Sequence, residues 1–378
     1  MSTARKQQIY LDYNATTPVD PRVESVMRQI MGNAFGNPSS SHWAGTPART
    51  VVESTRKQVA GLLGCKPGEI VFTSGGSESN NHVLKGVFFA RQVPNAHIIT
   101  TQVEHPAIVE PCRFLESLGA KITWLPVDAT GRVDTNDLIQ SITSDTILIS
   151  IMHANNEVGT LQPIEDCTQI AREHGVPFHT DAAQSVGKVP TRVDELGVDF
   201  LTIAGHKLYA PKGIGALYIR EGMELEPLIH GAGHELGRRA GTESALLTAA
   251  LGEACELARD LSAMVRIRTL RDRLWSALKE CCGDRIALNG HPEERLPNTL
   301  NVSFLDHQGN ELLANLPNLA VSTGSACHED RMEMSPVLQA MGVSPEVGAG
   351  AVRFSLGRTT TAEEIEIAIE SLTGLLAG

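Results

Sequence analysis

Short apolar runs alternate with helical patterns of apolar residues between about residues 69 and 220. The runs predict buried strands at residues 70–72, 98–100, 122–125, 147–151, 176–179, 200–203 and 216–219. Between them, residues 106–118 and 164–174 have the apolar spacing of helices. Strands that alternate with helices favour right-handed crossovers and a largely parallel sheet covered on both faces.

The pattern changes in the second half of the chain. Residues 242–280 are rich in Ala, Leu, Glu and Arg and predict one long helix that connects two domains. The remainder alternates predicted strands and helices, with strands at 299–304, 320–323 and 352–355 and helices at 336–341 and 362–375. We therefore predict a large domain at residues 16–256 and a smaller α+β domain made of residues 1–15 and 257–378.

Length and composition narrow the possible classes of protein. A chain of 378 residues exceeds one ordinary core, and no stretch is apolar for the eighteen or more residues that a membrane span needs. The first eight residues are polar and no signal-peptide core follows, so we expect a cytoplasmic protein without membrane contact. The formal net charge of -12 makes direct contact with nucleic acid unexpected.

The seven cysteines do not form a recognisable framework. None lies in a Cys-x-x-Cys pair, and the adjacent Cys281 and Cys282 make a poor zinc motif, so no metal is expected. An odd number of cysteines in a cytosolic chain also argues against a set of disulfides. We expect most of them to be buried structural thiols, with one available as a nucleophile.

Residues 72–78 form the first segment with candidate chemistry. They contain two adjacent glycines and three hydroxyl side chains between a predicted strand and a predicted helix. Amide N–H groups at the start of a helix, together with hydroxyls, bind phosphate. The same pattern also suits an ordinary strand–helix turn with a serine cap, so this segment alone does not decide.

Asp181 and Lys207 follow two other predicted strands. Taken alone, the aspartate is better explained as an N-cap and the lysine as a solvated surface group. However, the carboxyl ends of parallel strands meet at one edge of a sheet. A phosphate cradle, a carboxylate and a lysine at that edge fit pyridoxal phosphate, which needs a phosphate anchor, a partner for its ring nitrogen and an amine for its aldehyde.

The segment from Gly205 to Gly215 resembles the cofactor-lysine segment of the cysteine desulfurases, which belong to the class V aminotransferase group of fold-type I pyridoxal-phosphate enzymes. Similar motifs follow in the family's order along nearly the whole chain, at residues 10–18, 104–106, 155–159, 181–187, 324–327 and 353–358. The resemblance implies an α/β fold with a large, mainly parallel seven-stranded sheet domain and a smaller α+β domain.

The resemblance also implies which residues hold the cofactor, pyridoxal 5'-phosphate. Lys207 should bind it covalently and later move protons, Asp181 should keep the ring nitrogen protonated, and Gln184 should hydrogen-bond the phenolic oxygen. His105 should stack on the ring face. The implied phosphate ligands are Gly76, Ser77 and His206, together with Thr242 reaching in from the second subunit of a homodimer.

The same resemblance identifies the groups that act on the substrate, L-cysteine. Asn14, Asn155 and Arg353 should bind it, the arginine by two-pronged contact with the carboxylate. Cys327 should attack the substrate sulfur and keep it as a persulfide for a sulfur-acceptor protein. Arg353 lies 26 positions after Cys327, the spacing of the subgroup with a longer, mobile cysteine loop. We therefore expect the Cys327 thiol to lie away from the cofactor at rest.

Three features depart from the family pattern. Ala204 stands where the family usually has a serine that contacts phosphate, a loss of about 1 kcal/mol. Charged residues follow Cys327: His328 favours a thiolate, whereas Glu329 and Asp330 oppose it. The chain ends at Gly378, without the longer tail of desulfurases that supply iron–sulfur scaffolds. This fits a specialised acceptor, for example in a DNA phosphorothioation system, and the expected acceptor belongs either to iron–sulfur assembly or to DNA or RNA sulfur modification.

Other functions remain open at the level of sequence. A selenocysteine lyase would act slowly on cysteine, and a class V aminotransferase would not need Cys327. An inactive assembly platform would need none of the catalytic set and would lack the yellow colour of the lysine-bound cofactor.

Overall fold

A computed structural model describes residues 7–91, 93–323, 327–328, 331–332 and 334–376, with the backbone alone at 327–328 and 331–332. The strands are β1 (Ile9–Tyr10), β2 (Ile70–Thr73), β3 (His97–Thr101), β4 (Lys121–Leu125), β5 (Thr146–Ser150), β6 (Phe178–Asp181), β7 (Phe200–Ala204), β8 (Gly215–Ile219), β9 (Ile286–Asn289), β10 (Thr299–Phe304), β11 (Leu319–Ala320), β12 (Ser322–Thr323), β13 (Cys327–His328), β14 (Arg331–Met332) and β15 (Ala351–Ser355).

The helices lie between these strands and follow them. They are α1 (Pro21–Asn33), α2 (Gly45–Leu63), α3 (Gly76–Arg91), α4 (Pro106–Ser117), α5 (Thr135–Ser141), α6 (Ile164–Glu173), α7 (Val193–Leu196), α8 (Ala245–Ala258), α9 (Ser262–Cys282), α10 (Gly309–Ala314), α11 (Pro336–Ala340), α12 (Pro345–Ala349) and α13 (Ala362–Leu376). Short 3-10 turns occur at Pro67–Glu69, Gly205–Lys207, Glu235–Gly237 and Gly283–Arg285. No helix in the described part of the chain is both long and apolar enough to cross a bilayer.

The large sheet has seven strands in the order β2-β8-β7-β6-β5-β3-β4. All pairs are parallel except those of β8, which is antiparallel to both β2 and β7. The connection from β7 to β8, residues 205–214, is too short for the helical crossover that a parallel pair requires. The mainly parallel sheet predicted from the sequence is confirmed.

Both faces of this sheet are buried. Val71, Ile98 and Leu148 belong to an apolar cluster with α3 and α4, whereas the following residues Phe72, Ile99 and Ile149 belong to a second cluster with α2, α6 and α8. Successive residues of a strand point to opposite faces. The continuous apolar runs in the sequence therefore arise because helices cover both faces.

A second core surrounds the smaller antiparallel sheet, whose strand order is β12-β15-β10-β9. Leu300 and Val302 of β10 and Phe354 of β15 pack there with α9 and α13. The first strand also reaches this core, since β1 pairs in parallel with β11. These two cores support the predicted division at residues 16–256 and its complement, which remains a prediction.

The expected single helix over residues 242–280 is wrong. The structure has two helices, α8 and α9, separated at residues 259–261. The side chain of Asp260 accepts the backbone N–H of Ser262, the first residue of α9, at 2.9 Å. The break transfers the chain from the core of the large sheet to the core of the small one.

Candidate active site

A pocket of about 420 Å³ opens at the carboxyl ends of β2, β6 and β7, where the small sheet meets the large one. Strands β2, β6 and β7 run in the same direction, so the residues that follow them converge at one edge. Most of the residues predicted for the site line this pocket, namely Asn14, Gly76, Ser77, His105, Asp181, Gln184, His206, Lys207 and Arg353.

The first turn of α3 forms one wall of the pocket. Gly76 and Ser77 begin this helix directly after β2, which directs the helix N-terminus into the pocket. A Cβ at Gly76 would lie 3.3 Å from the Cβ of Ala204, so this wall has little room for a side chain. Ala204 itself lines the pocket, with a methyl group where the family resemblance predicts a hydroxyl.

Asp181 ends β6 and is buried, with 7% of its surface exposed. Its Oδ2 accepts from Nδ2 of Asn80 at 2.6 Å, and its Oδ1 accepts from the backbone N–H of Ala183 at 2.9 Å. In the described part of the chain no cationic side chain forms an ion pair with it. The carboxylate is therefore held rigidly and is available to a cationic group within the pocket.

Lys207 lies on the 3-10 turn that follows β7. Its Nζ donates to the carbonyl oxygens of Asn14 at 2.5 Å and Ala15 at 2.7 Å. Burial lowers the pKa of Lys207 to about 8, and the charge of Arg353 acts in the same direction. The amine is therefore much closer to its neutral, nucleophilic form than an ordinary lysine.

Two histidines line the same pocket as this lysine. His105 is the N-cap of α4, and its Nδ1 accepts the N–H of Ala107 at 3.1 Å, so its Nε2 carries the proton in the neutral form. Surrounding protein and the charge of Lys207 lower the pKa of His105, although its ring is exposed to the open pocket. Burial, Lys207 and Lys212 lower the pKa of His206 to about 4. Both rings are therefore neutral at pH 7.

Gln184 and Asn14 connect the lysine to the pocket wall. The Nε2 of Gln184 donates to the carbonyl of Asn14 at 2.9 Å, the same oxygen that accepts from Lys207. The side chain of Asn14 bonds Asn298 and Thr299. Asn14 therefore joins both sheets at the site, and both its amide nitrogen and its amide oxygen have protein partners.

Arg353 enters the pocket from the small sheet, on β15. Its Nη2 pairs with Oδ1 of Asp12 at 2.7 Å, and its Nη1 donates to the carbonyl of Asn156 at 2.9 Å. Its buried Nε has no partner among the described residues. The guanidinium is thus oriented by protein on two sides, and two of its five N–H groups are used in these contacts.

Three predicted residues stand apart from the pocket lining. Asn155 is fully buried behind it, with Nδ2 on the carbonyl of Val103 and Oδ1 on the N–H of Glu157, whereas Asn156 lines the pocket. Thr242 is exposed and lies outside the pocket of its own chain. The backbone of Cys327 pairs with Met332 across β13 and β14. The expected resting position of its thiol, and residues 324–326, 329–330 and 333, lie outside what the structure describes.

Several supporting residues were not predicted from the sequence. Asn80 and Asp12 bond predicted residues, as described above. Glu104 accepts from the N–H of Met152 at 2.9 Å and fastens the segment before Asn155 to the end of β3. Burial raises the pKa of Glu104 to about 8, aided by the charge of Asp181. In the sequence, the position of Glu104 next to His105 was the signal that could have identified it as a supporting residue.

The cysteines with described side chains lie away from the pocket. Cys112, Cys167 and Cys255 are buried, and Cys65 is half-buried. Burial raises the pKa of each of these four thiols to about 12. They are therefore protonated and poorly reactive at neutral pH, as expected for structural thiols.

The pocket fits pyridoxal phosphate by its chemistry. The N-terminus of α3 suits the phosphate, the buried carboxylate of Asp181 suits a protonated ring nitrogen, and the amine of Lys207 has the lowered pKa that attack on an aldehyde requires. The unpartnered Nε of Arg353 suits a substrate carboxylate.

Known proteins share this sequence and fold. Residues 9–367 match the aminotransferase class-V family. The cysteine desulfurase IscS of Dictyoglomus turgidum is 47% identical over 375 residues, which cover 98% of this chain and 95% of the relative. A NifS-like protein of solved structure has a TM-score of 0.92 at 39% identity, covering 98% of this chain and 100% of that chain. SspA, solved in complex with cysteine, has a TM-score of 0.84 at 38% identity, covering 93% and 100%.

Proposed function

Since the chain belongs to the cysteine desulfurases of the aminotransferase class-V family, we propose that the residues of this pocket remove sulfur from L-cysteine with pyridoxal phosphate as cofactor. The observation that carries the assignment is the convergence of Lys207, Asp181 and Arg353 on one pocket from three different elements. An aminotransferase or selenocysteine lyase would use much of the same pocket, and the named relatives favour desulfuration.

The pocket offers contacts to four parts of the cofactor. Gly76, Ser77 and His206, which line the pocket, would bind the phosphate, and Asp181 would pair with the ring nitrogen. His105 would stack on the ring, and Gln184 would donate to the phenolic oxygen. When bound, the cofactor supplies an electron-withdrawing ring that weakens the C–S bond of the substrate.

Lys207 carries the cofactor and afterwards transfers protons. Its pKa of about 8 lets the amine accept and release a proton near neutral pH. The carbonyls of Asn14 and Ala15 hold the amine in place when it is free.

Arg353 binds the carboxylate of L-cysteine through its free Nε together with Nη2. Asn14 lines the same region, while Asn155 supports the segment that presents Asn156. A direct contact of Asn155 with substrate, as the family resemblance implies, requires this segment to rearrange when substrate binds.

Cys327 receives the sulfur. Its thiolate attacks the sulfur of the substrate, so that an S–S bond forms and the C–S bond breaks, and protonation of the carbon leaves L-alanine. The product on the protein is a persulfide of Cys327, which an acceptor protein takes over. The acceptor belongs either to iron–sulfur assembly or to a DNA or RNA sulfur-modification system.

The proposal includes a homodimer in the cytoplasm. Thr242 supports the dimer because it is exposed and lies outside the pocket of its own chain. The same segment is fixed to the start of α3 by an ion pair between Arg239 and Glu78, with Nε and Oε1 at 2.8 Å. This attachment keeps Thr242 in a defined position from which to reach a second subunit.

Mass spectrometry after exposure to L-cysteine tests the proposed function. We expect one added sulfur on the peptide that contains Cys327, one alanine formed per sulfur taken up, and acceptor proteins that co-purify with the loaded enzyme. Added sulfur on another cysteine, with Cys327 unmodified, would refute the assignment.

A further inference from the structure

A second lysine lies behind the pocket wall, four positions after Gln184. Lys188 is buried, with 9% of its surface exposed, and its Nζ donates to Oε1 of Gln184 at 3.1 Å. No carboxylate pairs with it in the part of the chain that the structure describes. Lys188 does not line the pocket that contains Asp181 and Arg353, but it lines a smaller adjoining cavity together with Lys207.

A buried lysine without a counter-ion is unfavourable, and a purely apolar side chain of similar length would fill the same space. Burial lowers the pKa of Lys188 to about 7, and the charges of Lys207 and Arg353 act in the same direction. The cost of burying this amine suggests that its hydrogen bond serves a purpose beyond packing.

Two bonds together determine which way the Gln184 amide faces. The two ends of a glutamine amide have nearly the same shape, and only their partners fix the orientation. The carbonyl of Asn14 can only accept, so Nε2 faces it at 2.9 Å. Oε1 then faces Lys188, whose Nζ donates to it and holds the other end of an amide that lines the pocket.

We propose that Lys188 is a positioning residue that keeps the donor edge of Gln184 directed at the cofactor pocket. The inference rests on the proposed role of Gln184 in binding the phenolic oxygen of the cofactor. Without Lys188 the amide keeps only its bond to the Asn14 carbonyl, so its Nε2 is held less firmly and donates less well to that phenolic oxygen. A negatively charged oxygen is then less stabilised, which changes the pH at which the bound cofactor changes colour.

A spectroscopic pH titration of the holoenzyme tests this proposal. In Lys188→Met, which keeps the length of the side chain but cannot donate, the midpoint of the visible absorbance change should rise by about one pH unit. This is the size expected when one hydrogen bond to a charged oxygen is lost. Gln184→Leu, which removes the amide itself, should shift the midpoint in the same direction and by at least as much.

The double variant separates positioning from simple charge repulsion. If Lys188 acts through Gln184, adding Lys188→Met to Gln184→Leu causes no further shift. An equal further shift would mean that the lysine acts through its charge alone, and it would overturn the proposal. A shift with Gln184→Leu but none with Lys188→Met would also overturn it, while leaving the proposed function intact.

Two further outcomes separate this proposal from the proposed function. No shift with Gln184→Leu would overturn both this proposal and the assignment of Gln184. A colourless wild-type enzyme would contradict the proposed function as a whole.

Controls test folding and the specificity of the site. Thermal unfolding of each variant without cofactor identifies any loss of folding, and Lys188→Leu repeats the test if methionine does not fit. Lys66→Met, at an exposed lysine paired with Glu221, should leave the titration unchanged.

Discussion

The guanidinium of Arg353 and the carboxylate of Asp12 form an ion pair at 2.7 Å, although 341 positions separate them in the sequence. Asp12 follows β1, which pairs with the small-domain strand β11, and Arg353 lies on β15 of the small sheet. The pair therefore fixes the orientation of the arginine from the side of the smaller domain, and the Nε of Arg353 has no partner among the described residues.

Arg353→Lys should raise the KM for L-cysteine by about tenfold or more while the cofactor content stays normal. Lysine keeps the charge, but it cannot contact Asp12 and Asn156 and also present a two-pronged donor, and a charge-assisted hydrogen bond contributes about 1.5–3 kcal/mol. Steady-state alanine formation measures the effect. Arg273→Lys, at an exposed arginine paired with Glu366, is the control. An unchanged KM would contradict the assignment.

The uptake of pyridoxal phosphate by the cofactor-free protein should depend on pH. Only the neutral amine of Lys207 attacks the aldehyde, so the rate should rise with pH and level off above its pKa of about 8, rather than near the ordinary value of 10.5. The growth of visible absorbance after mixing measures this rate. In Arg353→Met the midpoint should move upward, because the arginine charge lowers the pKa of Lys207. A wild-type midpoint near 10.5 would show that the lysine is not in the described environment.

Cys327→Ser should keep the yellow cofactor and its spectral response to L-cysteine, yet form alanine only at a background rate. Binding of cofactor and substrate needs Lys207, Asp181 and Arg353, whereas only accepting the sulfur needs the thiol. Cys65→Ala, at a half-buried thiol outside the pocket, should retain most activity. Near-normal alanine formation by Cys327→Ser would refute the mechanism.

Ala204→Ser should bind the cofactor more tightly. Ala204 lines the pocket beside Gly76, and a hydroxyl there can donate to the phosphate for about 1 kcal/mol, roughly a fivefold gain in affinity. Fluorescence titration of the cofactor-free protein measures the dissociation constant. Ala210→Ser, at a buried alanine outside the pocket, provides the comparison. Weaker binding by Ala204→Ser would mean that the hydroxyl cannot reach the phosphate.

Mixed dimers should show whether Thr242 acts across the subunit boundary. In a dimer of one wild-type chain and one Lys207→Ala chain, only the wild-type chain can bind the cofactor covalently. Adding Thr242→Val to the Lys207→Ala chain should weaken that one site if the threonine comes from the partner. The fraction of cofactor retained during dialysis measures how firmly that site binds it. An unchanged site, or a fully active monomer in sedimentation, would contradict the proposed dimer.

The sequence predicted the strands of the large sheet well because both of its faces are buried. Continuous apolar runs such as residues 147–151 are visible without any knowledge of neighbours. The catalytic residues follow these strands, so their shared edge could be predicted too. The helix break at residues 259–261 was missed because no glycine or proline marks it, although an Asp two positions before the first residue of a helix, as Asp260 is, often bonds its N–H.

Residues that act through distant partners could not be predicted from local patterns. Asn80 bonds Asp181 across 101 positions, and nothing near Asn80 in the sequence indicates a carboxylate partner. Lys188 is different, because its four-residue spacing from Gln184 is a local signal that was available. Asn155 shows the opposite case, in which a motif identifies a residue that the structure places behind the pocket lining.

Four thiols of this chain are held in their protonated form by burial. A desulfurase handles reactive sulfane sulfur, which any thiolate within reach would intercept. Cys112, Cys167 and Cys255 are protonated and buried, and Cys65 is protonated and half-buried, so these thiols compete poorly with the acceptor for the sulfur. The fold thus limits the loss of persulfide sulfur to these four thiols before an acceptor takes it over. It also protects the same thiols from oxidation.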